Sequence, residues 1–135
     1  MEIMTMDNKY NVQAQEFLNK TNVKFSVSYI GYGFYFDDDK EERDIYRITL
    51  KRANRSYSFK FGQSIANQGQ EPTEYDVLAC ITKYEPGTFE NFCSEFGYIT
   101  DSRKALKTYN AVCREYKGVC RIWNQAEREA LAEIQ

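Results

Sequence analysis

Histidine is absent from the 135 residues. That absence removes imidazole acid–base chemistry, Ser–His and Cys–His nucleophile pairs, and every His-containing metal site. Long apolar runs are also missing: nothing approaches the roughly 20 residues that span a bilayer, and the N-terminus lacks the charged-then-apolar layout of a signal peptide. No membrane association and a cytoplasmic location are therefore expected. Neither charge sign is in surplus, with 18 Lys and Arg against 20 Asp and Glu, a net charge of −2 and a pI near 5.3. A global polycation that coats nucleic acid is excluded, whereas a local basic patch is not. What the chain does have is aromatic bulk, eleven Tyr and nine Phe within a 42% apolar composition, enough to fill the core of one domain over 1–135.

The pattern along the chain predicts an α+β fold: an N-terminal helix, a three-stranded antiparallel sheet, then a helical C-terminal half of three to four helices. Tyr10, Ala14, Phe17 and Leu18 recur at helical spacing over about 9–19, with Asp7 or Asn8 as cap. From Val23 the period becomes two, with Phe25, Val27 and Tyr29 alternating with Lys24, Ser26 and Ser28. After Ile30 the apolar set moves to even positions, Tyr32, Phe34 and Phe36, with Gly31 and Gly33 between, the mark of a bulge or bend. A charged connection, Asp37 to Arg43, follows. A two-residue turn at Ala53-Asn54 would pair each residue i with 107 − i, placing Tyr46, Ile48, Leu50, Tyr57, Phe59 and Phe61 on one face. The sheet-containing half thus occupies about 1–62, an aperiodic connection 63–72, and the helical half 73–135. In the latter, Thr73 with Asp76 opens a helix to about Tyr84, and Thr88 caps one ending at Gly97. Asp101 or Ser102 starts the longest helix, to about Trp123, and Asn124 with Glu127 caps the last.

Two basic surfaces stand out. At about 100° per residue, Lys107, Arg114, Lys117 and Arg121 fall within about 40° of Arg103, making a single-sign ridge on an amphipathic helix. Leu106, Tyr109, Val112, Cys113, Tyr116, Val119, Cys120 and Trp123 are assigned to the opposite, apolar side. A ridge of this kind can face phosphates or an acidic protein, although a solvated helix face is the commoner use of such charge. The second surface is the outer face of the hairpin: Arg47, Lys51 and Lys60 among hydroxyls, continued by Lys24 and Ser26, with no acid. It suits a nucleic-acid backbone but lacks aromatics to stack bases, and an ordinary solvent face, or one covered by the first helix, is the commoner use of such a surface.

Other constellations are weaker. Cys80, Cys93, Cys113 and Cys120 are spaced by 13, 20 and 7 residues, against the two to four of paired zinc ligands, and Cys93, Cys113 and Cys120 lie on apolar helix faces as small buried hydrophobes would. Reduced thiols, no metal and no cofactor are expected. The acids of 37–42 lack calcium-loop spacing. The Phe96-Gly97-Tyr98 corner ahead of Arg103, Lys104 and Lys107 has the outline of a helix-turn-helix with a loosened turn.

Ile48-Thr49-Leu50-Lys51-Arg52, Pro72-Thr73, Tyr75-Asp76-Val77-Leu78-Ala79-Cys80, Pro86-Gly87-Thr88-Phe89-Glu90, Phe92-Cys93, Phe96-Gly97-Tyr98 and Asp101-Ser102-Arg103-Lys104-Ala105 give the chain, from about residue 45 onward, a pattern that resembles a group of small proteins encoded in phages and prophages of Gram-positive bacteria. Cys113 and Cys120 stand outside that pattern. The resemblance carries no reaction and no catalytic residues. It implies a setting, since accessory phage proteins of this size often act on the host, anti-CRISPRs among them. The expectation is a non-enzymatic protein that binds and inhibits a host protein or nucleoprotein complex, such as a CRISPR effector. The alternative is a direct nucleic-acid-binding protein of phage replication or regulation. A third reading, a small nuclease, would have to recruit Asp37, Asp38, Asp39 and Glu41 around a metal.

Overall fold

In the computed structural model, which describes residues 6–35 and 40–134, the chain runs α1 (Met6–Lys20), β1 (Lys24–Gly33), β2 (Arg43–Arg52), β3 (Arg55–Gly62), a 3-10 turn at Ile65–Asn67, α2 (Glu74–Cys80), α3 (Phe89–Phe96), α4 (Arg103–Ile122) and α5 (Gln125–Ala132). The strands form one antiparallel sheet in the order β1-β2-β3. This is the expected mixed α+β architecture. Phe36, Asp37, Asp38 and Asp39, named above for the bend, the calcium loop and the nuclease reading, lie outside the described residues.

The hairpin register follows the alternation. Tyr46 pairs with Phe61, Ile48 with Phe59 and Leu50 with Tyr57, each pair summing to 107. Ile48 and Leu50 are fully buried, whereas Tyr57, Phe59 and Phe61 on the edge strand are half-buried against the same core. The turn puts its left-handed residue at Ala53 (φ 55°), a position that favours glycine. On the other side of β2 the phase slip is a bulge: Tyr29 pairs with Tyr46 but Gly31 with Ile45, leaving Ile30 extra.

Among the described residues the buried core lies between the helices and one face of the sheet. Ala14, Phe17 and Leu18 of α1 join Ile48, Leu50, Val77, Leu78, Val119, Ile122, Trp123 and Leu131 in one cluster. Trp123 ends α4 in an extended conformation and is completely buried. Its Nε1–H donates to Thr21 Oγ1 (3.1 Å), whose hydroxyl donates to the Phe17 carbonyl (2.9 Å), so the only polar atom of the ring is satisfied. Asn22, at φ 59°, closes α1, with Val23 N–H on the Leu18 carbonyl and Asn22 N–H on that of Asn19, the bond pair of a Schellman cap.

The caps expected at Thr73, Thr88 and Asn124 are made, and of Asp101 and Ser102 the cap is Ser102; capping boxes are complete at Thr73–Asp76 and Asn124–Glu127. Gly97 takes the left-handed conformation (φ 75°). Two boundaries differ from expectation. Helix α1 begins at Met6, so Asp7 and Asn8 fall inside it. Helix α2 stops at Cys80 instead of about Tyr84, because Ile81 turns extended and inward while the next amide, Thr82 N–H, donates to Glu115 of α4 (3.1 Å). The connection after β3 is tied down by buried Asp44 and Gln63, which bond Gly69 N–H (2.8 Å) and the Gln70 carbonyl (3.0 Å).

Candidate functional site

On the outer sheet face, alternation and register together place cations opposite cations. Lys24 pairs with Lys51, and Arg47 with Lys60. Like charges directly opposite across strands are destabilising. Between these two cationic rows lies a hydroxyl row, Ser26, Thr49 and Ser58, with Thr49 and Ser58 sharing a 2.7 Å hydrogen bond. Lys24, Arg47, Lys51 and Lys60 are all exposed, and no acid stands on the paired outward positions from Lys24 to Ser28, Arg47 to Lys51 and Ser56 to Lys60.

The ridge of α4 meets this face at β3. Arg103, Lys107, Arg114, Lys117 and Arg121 are all exposed, and α4 runs antiparallel alongside β3. Arg121 donates to the outward Ser56 carbonyl (3.3 Å), Gly118 lies against Tyr57, and Arg114 lines one cleft with Lys60. Arg103 stands roughly 27 Å up the helix axis from Arg121 at 1.5 Å per residue. The five cations are therefore one stripe but not one contact: Arg114 and Arg121 join the sheet's cations, Lys117 stands exposed between them in sequence, and Arg103 and Lys107 continue along the two N-terminal turns.

The docking face of α4 is displaced from the apolar side assigned above. Ala105, Gly118, Val119 and Ile122 are its buried residues, whereas Leu106, placed on that side, is 47% exposed. Leu106 falls about 60° from Arg103 and belongs to the ridge flank. Tyr109, Val112, Cys113, Tyr116 and Cys120 are half-buried. Tyr109 packs on Phe89 and Phe92 of α3 (ring centroids 5.5 and 5.4 Å), and Tyr116 carries Arg128 of α5 over its ring (5.4 Å). Phe96 of α3 is exposed but keeps contact with the Phe92 ring (4.9 Å).

Between β3 and α4 opens a cleft of about 690 Å³. Two close approaches of ring to glycine build it. A Cβ on Gly62 would lie 2.7 Å from Tyr35 Cγ, and one on Gly118 would overlap the Tyr57 ring, so each tyrosine occupies the room a side chain would take. The Tyr35 hydroxyl donates to the edge carbonyl of Lys60 (2.9 Å); with Arg121 on Ser56, this covers part of the open edge of β3. Glu115 enters the cleft from α4, with Cys80 and Ile81 at its end and Arg114 and Lys60 at its rim. Burial raises the Glu115 carboxyl above its ordinary value, opposed by the bonds from Thr82. Burial, with Glu115 adding, pushes Tyr57 up to about 12 and raises Tyr35. Burial also raises the Cys80 thiol. At neutral pH both phenols are therefore hydrogen-bond donors. Glu115 and the two tyrosines form no sequence motif; the available signal was an acid and a glycine at positions 115 and 118, between ridge and stripe on an otherwise apolar docking face.

The cysteines do not converge. Cys93 is buried under α3, Cys113 and Cys120 are half-buried on α4, and Cys80 is exposed; among the described residues no group of three or more Cys, Asp or Glu gathers as a metal site. No described helix is long and apolar enough to cross a membrane. Apolar exposure concentrates instead where β1 passes its bulge: Tyr29 (57% exposed), Ile30, Tyr32 and Phe34.

Fold and site together define an α+β domain with a basic sheet face joined to a basic helix ridge. Comparison with protein-family models, with curated proteins and with solved structures finds no match.

Proposed function

We propose that this protein is a non-enzymatic accessory protein that binds the nucleic acid of a host nucleoprotein complex in the cytoplasm, through the basic surface around β3, and so blocks that complex. A phage counter-defence setting, with a CRISPR effector as target, is what the sequence resemblance adds. The observation that carries the reading is the in-register placement of Lys24 on Lys51 and of Arg47 on Lys60, with no acid on the paired outward strand positions, extended by Arg114 and Arg121. Such pairing costs stability in the free protein, and a polyanion laid across it would remove the repulsion. The Ser26, Thr49 and Ser58 row supplies hydroxyl donors to phosphate oxygens between the cations.

The test is titration of labelled single-stranded DNA, duplex DNA and RNA over about 50–200 mM salt, with and without magnesium. Binding that weakens log-linearly with salt, and intact nucleic acid afterwards, supports the reading. Cleavage in magnesium would replace it with the nuclease alternative. Failure to bind any of the three at the lowest salt would refute it. A second reading has its own observation: the apolar end of β1, from Tyr29 to Phe34, has the character of a protein-contact patch. An inhibitor acting on a host protein alone would lose activity on Tyr32→Ser and Phe34→Ser while tolerating charge reversal on the sheet.

A further inference from the structure

We infer that the cleft between β3 and α4 receives one unstacked base of a single strand, laid against the ring of Tyr35 beside Tyr57, with Glu115 accepting from the base's exocyclic amino group. The inference rests on the nucleic-acid reading and adds to it what the flat sheet face lacks, an aromatic surface for a base. Sequence-specific recognition of single strands works by splaying bases onto aromatic rings and bonding their edges. The cleft offers both. Its volume of about 690 Å³ lies within the roughly 300–1,000 Å³ of small-ligand sites. The Tyr57 phenol is a donor for a base carbonyl or ring nitrogen, the Tyr35 hydroxyl being engaged on the Lys60 carbonyl, and the Glu115 carboxylate is an acceptor for an amino group.

Charge is arranged to match. Arg114 and Lys60, both exposed, line the cleft, and Arg121 meets β3 four residues from Lys60, at Ser56, so a base directed inward leaves its flanking phosphates near cations. The same cations make the cleft unsuited to a basic peptide, and Glu115 makes its interior unsuited to a bare phosphate. Because an amino group is the donor Glu115 requires, cytosine and adenine fit, while thymine and uracil present no such group.

The experiment compares labelled oligo(dC) and oligo(dT) of equal length at one salt concentration, for the wild-type chain, Glu115→Gln and Tyr35→Ala. Glu115→Gln keeps an acceptor for the Thr82 amide, and Tyr35 lies at the surface, so both variants are expected to fold; thermal unfolding checks this. The expected result is oligo(dC) bound about tenfold more tightly than oligo(dT), the scale of one hydrogen bond to a charged group. That preference is largely lost in Glu115→Gln with the salt slope unchanged. Tyr35→Ala should weaken single-strand binding about tenfold or more, the scale of one stacked base, and leave duplex binding as it was. Salt-sensitive binding that ignores base identity and both substitutions would overturn the cleft while leaving the basic surface standing. Absence of binding to either oligonucleotide would overturn both.

Discussion

Ile48 and Thr49 are neighbours on β2, yet Ile48 is wholly enclosed while Thr49 sits in a hydroxyl row between cations on the outer face. The inner face, under α1 and α4, follows packing rules: Ile48 and Leu50 are enclosed by helix side chains, and at Gly118 a glycine stands where the Tyr57 ring needs its space. The outer face breaks a packing rule, since it sets Lys against Lys and Arg against Lys, with no acid on the paired outward positions of the strands. A region that lowers stability in the free chain without serving the core is where a binding function is to be sought.

The largest way to break this comparison is on the inner face. Ile48→Ala should cost about 2–5 kcal/mol, as a buried large-to-small change, while Thr49→Ala should cost under about 1 kcal/mol; chemical denaturation checks both. Next comes Gly118→Ala. Helix propensity alone would favour it by about 1 kcal/mol, but overlap with Tyr57 should turn this into a net loss of about 1–3 kcal/mol. A Tyr57→Leu background should relieve that loss in a double-mutant cycle. If Gly118→Ala instead stabilises, α4 is not pressed on β3 as described.

A third prediction concerns the seam between hairpin and C-terminus, where Arg52 bonds both oxygens of Glu127 (2.8 and 2.9 Å) and the Ile122 carbonyl (2.9 Å). The bonds from Arg52 hold the Glu127 carboxyl below the ordinary carboxylate range. A depressed folded pKa contributes stability that is fully present above the unfolded value near about 4.3 and is lost as pH falls through the folded one. Acid unfolding should therefore begin below about pH 4 in the wild type. Glu127→Gln keeps the acceptor for the Asn124 amide, and its acid sensitivity should be reduced. Equal acid profiles would mean that the ion pair is not held. The smallest effect is on the outer face: Lys51→Glu, opposite Lys24, should leave stability unchanged or raise it by about 0.2–1 kcal/mol, by turning a like pair into an opposite one.

Period-two alternation made the sheet legible, because a one-residue slip would have moved Tyr46, Ile48 and Leu50 into solvent. The caps at Thr73, Thr88, Ser102 and Asn124 were legible for a local reason, a side chain reaching an amide three residues on. The end of α2 was not, since what stops it is Glu115, 33 residues from Thr82. The rotation of α4 was also hidden: its apolar residues extend over more than half the circumference, and only the close approach of Gly118 to Tyr57 selects the docking face. Both basic surfaces were visible as charge patterns. That β3 joins them, and that Tyr35, Tyr57 and Glu115 share a cleft at the join, depends on contacts between segments distant in sequence.

The central claim is that cations of the sheet and of the helix act as one phosphate-binding surface. Its most direct test is the slope of log affinity against log salt for single-stranded DNA, measured for the wild type and for Lys51→Gln, Lys60→Gln, Arg114→Gln and Arg121→Gln combined. The account predicts a folded variant whose slope is shallower by roughly 0.7 for each phosphate contact removed, close to 3 in all. An unchanged slope in a variant that unfolds like the wild type would contradict it.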